Sequence, residues 1–112
     1  MAFITRECQI LIMHEEPVLL RNSEGKGFVI ALGSVNLVGV VAARGMVGCG
    51  AIDVAALDRF GYPAARVRPC AGPSISTVAD LLGGTVKDVN RAAQELGIST
   101  GMSGKEALDL LS

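Results

Sequence analysis

The stretch Asn36-Leu37-Val38-Gly39-Val40-Val41-Ala42, then Ala43-Arg44-Gly45, then Met46-Val47-Gly48-Cys49 decides the fold class. Two runs rich in β-branched residues stand either side of a three-residue break, which is hairpin spacing, and Gly45 is available for a positive φ. A strand pair therefore occupies the middle of the chain. Working back toward the N-terminus, residues 28–32 read as another strand, and residues 22–27, with Asn22, Ser23, Gly25 and Gly27, read as a turn. Residues 18–20 are extended. Residues 8–13 form a strand candidate that His14, Glu15, Glu16 and Pro17 should end, because proline withdraws a ladder donor.

Working forward, the period changes. Asp53 can cap a helix over residues 54–60, with Gly61 placed where a left-handed residue ends it. Residues 64–68 form a strand, and Pro69, Cys70, Ala71, Gly72 and Pro73 a loop that cannot be helical. Thr77 and Asp80 make a T-x-x-D capping box for a helix stopped by Gly83 and Gly84, and Ser103 and Glu106 an S-x-x-E box for the last helix. Between them the reading is open. Thr85 and Asp88 repeat the capping pattern ahead of a helical stripe, while residues 86–89 suit equally a short edge strand followed by a helix capped by Asn90. Strands first and helices later predict an α+β fold: a small mixed or mostly antiparallel sheet of about five or six strands, with about three or four short helices concentrated in the C-terminal half.

Composition narrows the function. A chain of 112 residues predicts a single domain spanning 1–112. Half its residues are apolar, and mean hydropathy is +0.47, more apolar surface than one small copy readily hides, so a homo-oligomer is expected. Ten basic residues oppose eleven acidic ones without a basic cluster, which argues against a nucleic-acid partner. The apolar stretch 28–46 is broken by glycines, Ser34, Asn36 and Arg44, so no membrane helix is expected. Residues 1–7 carry Arg6 and Glu7 and lack a signal-peptide pattern, which predicts a cytoplasmic location. Cys8, Cys49 and Cys70 have neither disulfide-framework nor zinc-ribbon spacing, and gathering them with His14 would join four separate segments. No metal and no cofactor are expected.

Two dinucleotide-like and helix-turn-helix patterns fail on inspection. Gly48, Cys49 and Gly50 lie between a strand and a helix, but Asp53 stands where the third glycine of a phosphate-binding turn belongs and would repel a phosphate there. The would-be recognition helix after Gly97 contains Gly101 and Gly104 and lies in a region with more acidic than basic residues. What remains is a set of unusual polar positions near strand ends: Cys49, Gly50 and Asp53, with Arg66 and Arg68 on one face of the following strand. These are the candidate ligand-binding residues of an expected non-enzymatic, self-associating module for a small ligand or a protein partner, the ligand being a small anion if the arginines meet a carboxylate or phosphate. On a solvated face the same arginines would only solubilise. Cys49 precedes a helix and could be a reactive thiol, in an enzyme or redox sensor, yet the one histidine, His14, lies in a different segment.

Residues 47–50, Ser76 to Leu82, residues 93–98, and above all Leu96-Gly97-Ile98 followed by Gly101-Met102-Ser103-Gly104-Lys105-Glu106-Ala107-Leu108 resemble the YunC-like family over roughly residues 37–111. The resemblance implies a small α+β fold and no established activity, the family being itself a domain of unknown function. The 69–73 loop departs from the shorter connection expected of that family.

Overall fold

The computed structural model describes residues 13–70, 72 and 74–112, so all of the 8–13 strand candidate but Met13 lies outside the described residues. The elements run β1 (Met13–Leu19), β2 (Glu24–Ala31), β3 (Asn36–Val41), β4 (Met46–Gly48), α1 (Val54–Asp58), β5 (Ala64–Arg68), α2 (Val78–Leu82), β6 (Thr85–Val89), α3 (Arg91–Gln94) and α4 (Gly104–Leu111). The six strands lie in sequence order across one mixed sheet. Every neighbouring pair is antiparallel except β4 and β5, which are parallel and joined by a crossover containing α1. The α+β expectation, its strand number and its C-terminal helices all hold.

Alternation sorts the sheet into two faces. Val38, Val40, Val47, Ala65, Val67 and Val86 point to one face and are buried there with Val78 and Leu81 of α2 and Ala107, Leu108 and Leu111 of α4. The opposite face is covered over β4 and β5 by the turn before α1: a Cβ on Gly48 would collide with Ile52. Over β1 to β3 that face is open, and Met13 and Val41 are exposed on it beside half-buried Phe28, Ile30 and Leu37. Among the described residues, no helix is long and apolar enough to cross a membrane.

Three local expectations need correction. His14 to Pro17 do not end a strand; they lie within β1, paired with Val29, Phe28, Gly27 and Lys26. β1 is a margin of the described sheet and bonds to β2 alone, so a residue without an N–H is tolerated there. The 22–27 turn is also shorter than expected, closing by donation from Leu20 N to Ser23 O (3.0 Å) before β2 begins at Glu24. Gly25 and Gly27 are strand residues whose missing side chains admit neighbours: a Cβ on Gly27 would lie 2.9 Å from Val78, and one on Gly25 would lie 3.0 Å from the carbonyl of Val41. Gly45, finally, has no positive φ; its role is close approach, since a Cβ there would strike the carbonyl of Pro63.

The open choice over residues 85–89 resolves as a strand. Thr85 pairs with Arg68 and Val86 with Val67, and Asn90 caps α3 by accepting from Ala93 N (2.9 Å). Asn90 is buried and saturated. Its Oδ1 also accepts from Ala64 N (3.1 Å), and its Nδ2 donates to Val54 O (3.0 Å) and Tyr62 O (2.9 Å), so one side chain joins α1, β5 and α3. The capping boxes of Thr77 with Asp80 and Ser103 with Glu106 both form, and Gly61 is left-handed at φ 68°.

Candidate functional site

The C-terminal ends of the parallel pair β4 and β5 are the natural place for a ligand, because both strands stop there and their connections part. A cavity of about 360 Å³ lies at that edge, lined by residues including Cys49, Gly50, Arg66 and Arg68. Four of the five residues singled out from the sequence therefore share one cavity. The fifth does not. Asp53 lines a neighbouring depression and accepts from Ala56 N (3.0 Å) as the N-cap of α1. That bond commits one carboxylate oxygen to holding the helix start.

Arg66 stands between the two depressions and lines both. Its Nη1 donates to Gly50 O (3.0 Å) and its Nε to Asp88 Oδ2, so it fastens the turn after β4 to the edge strand β6. Arg68 and Lys87 also line the cavity, and neither forms an ion pair among the described residues. The sequence reading missed Lys87, and a β-bulge explains why. Continuing the register from Arg66 opposite Asp88 would set Lys87 opposite Val67, on the face that packs against helices; instead Val86 takes that place and Lys87 becomes the extra residue. Two adjacent polar residues between Val86 and Val89 break strict alternation, and that was the available signal.

The wall across the cavity is apolar. Leu32 and Val35 come from the β2–β3 turn, Leu37 from β3, and Ile75 from the segment before α2. Cys49 forms part of the floor between the walls. Its residue is 6% exposed and belongs to the core cluster, and its N–H donates to Val38 O (3.0 Å). His14 is exposed on β1, beside Glu16 at 3.1 Å, with β2 and β3 between its strand and β4. No imidazole among the described residues is therefore placed to deprotonate Cys49. Cys70 is exposed and does not line this cavity.

A family model described as a domain of unknown function, DUF1805, matches residues 48–111. The chain belongs to that family. It is 32% identical over 96 residues to the uncharacterised protein YunC of Bacillus subtilis (strain 168), an alignment covering 82% of this chain and 90% of the relative. The YunC-like resemblance read from the C-terminal motif is thereby shown. The fold is shared with a crystal structure of a protein of unknown function, TA1206 from Thermoplasma acidophilum, at a TM-score of 0.78 and 24% identity, covering 89% of this chain and 93% of that one. The matched segment begins at Gly48 and so contains Cys49, Gly50, Arg66, Arg68 and Lys87, whereas Leu32, Val35 and Leu37 precede it.

Proposed function

We propose that this chain is a non-enzymatic binding module that holds a small anion in the cavity at the ends of β4 and β5, and that it self-associates. The observation that carries the binding reading is the pair of cations, Arg68 and Lys87, facing a cavity in which the other cation, Arg66, is already engaged by Asp88 and Gly50. The Arg66 charge is balanced by its partner, while those of Arg68 and Lys87 favour an incoming carboxylate or phosphate. At about 360 Å³ the cavity is near the lower end of the roughly 300–1,000 Å³ typical of ligand sites, which suits a metabolite-sized molecule better than a dinucleotide. Burial of Cys49 and its distance along the sheet from His14 favour binding over thiol chemistry. Self-association is supported by the open sheet face around Phe28, Ile30, Leu37 and Val41.

Thermal melts in inorganic phosphate test the binding reading, with chloride at equal ionic strength as control. A ligand that binds only the folded state at about 100 times its Kd stabilises by roughly 2.7 kcal/mol. The melting temperature of the parent should rise with phosphate, and that of an Arg68→Ala/Lys87→Ala double variant should not. Equal responses of the two proteins would contradict the proposal.

A further inference from the structure

The lateral order of the strands makes this cavity two-sided. From the β2–β3 side come Leu32, Val35 and Leu37; from the β5–β6 side come Arg68 and Lys87; the end of β4 lies between them. Resting on the anion-binding reading above, we infer that the ligand is an amphiphilic organic monophosphate, with its head on Arg68 and Lys87 and a short hydrocarbon body on the apolar wall.

The charge count selects the head. Two cations without an ion-pair partner among the described residues are matched by a phosphate monoester, which carries roughly −1.5 to −2 charges at neutral pH, better than by a single carboxylate. The apolar wall selects the body. Leu32 and Val35 flank a tight turn closed by donation from Leu32 N to Val35 O (2.8 Å), with Gly33 at φ 100°. Such turns normally carry small or polar residues, yet each of these two large apolar residues is 59% exposed and lines the same cavity. Inorganic phosphate would leave that surface in water. A short alkyl or aryl group would cover it, and the cavity volume leaves no room for a long one.

Isothermal titration of the full chain with methyl phosphate, hexyl phosphate, hexanoate and hexanol tests the inference. Hexyl phosphate should bind at least roughly tenfold more tightly than methyl phosphate, through the added methylenes removed from water. Hexanoate should be weaker than hexyl phosphate, and hexanol should not bind. A Leu32→Ser/Val35→Ser double variant changes two exposed positions, so it should fold; its affinity for hexyl phosphate should fall toward the methyl phosphate level, with methyl phosphate unaffected. Equal affinities for methyl and hexyl phosphate would overturn the amphiphile while leaving anion binding intact. Hexanoate binding as tightly as hexyl phosphate would overturn the phosphate head. Failure of every phosphate to bind would overturn the anion-binding reading as well.

Discussion

Asn90 has all four of its amide hydrogen-bonding positions occupied by backbone groups of α1, the following turn, β5 and α3. Truncation to Ala leaves buried backbone donors and acceptors without partners, and each such group costs about 1–3 kcal/mol. Asn90→Ala should therefore lower the urea midpoint of unfolding sharply; a midpoint within error of the parent's would show that the network contributes nothing. From the sequence Asn90 was legible only as a possible helix cap, because three of its four partners come from residues 26 to 36 positions away. Arg66 and Arg68 were legible because alternation sets them on one face whatever lies beside them. Lys87 was not, since its direction depends on a bulge that exists only once β6 has paired with β5. Asp53 was legible as a helix cap, and that local role accounts for its observed bond.

At the scale of elements, the helices were the most legible, because their caps are local. Thr77 accepts from Asp80 N at 3.0 Å and Ser103 from Glu106 N at 3.1 Å, as the two box motifs require. The strand limits around β1 and β2 were less so, since Pro17, Gly25 and Gly27 are turn-formers in isolation and are tolerated by a sheet margin and close packing. The last helix also closes the fold electrostatically. Lys105 donates to both Asp109 oxygens (2.9 and 2.8 Å), and Arg21 N, in the β1–β2 turn, donates to Oδ1 (2.9 Å). The Lys105 bond, aided by the Arg21 amide and opposed by partial burial, holds the Asp109 carboxyl below its ordinary range. A lowered folded-state value means that the contribution to stability is fully present above the unfolded value of about 3.9 and is lost as pH falls through the folded value. Urea midpoints between pH 7 and pH 2.5 should thus fall more for the parent than for Asp109→Asn, the gap narrowing in acid. A gap that stays constant with pH would remove Asp109 from the account.

On the scale of the whole molecule, the central hairpin and the change from strands to helices were enough to predict the fold class, while the cavity was legible only in part. Cys49, Gly50, Arg66 and Arg68 could be grouped from the sequence as polar positions near strand ends, but Leu32, Val35, Ile75 and Lys87 reach the cavity through tertiary packing and strand pairing alone. The open face over β1 to β3 carries the expectation of self-association. Light scattering at micromolar concentration should give a mass at least twice that of the 11.6 kDa chain, and a stable monomeric mass would contradict it. The central claim, that Arg68 and Lys87 receive an anion beside Cys49 and Gly50, is tested most directly by an amide NMR titration with hexyl phosphate. The account predicts saturable shifts at Gly50, Arg68 and Lys87 with none along β1. Shifts spread evenly over the surface, or confined to β1 and β2, would contradict it.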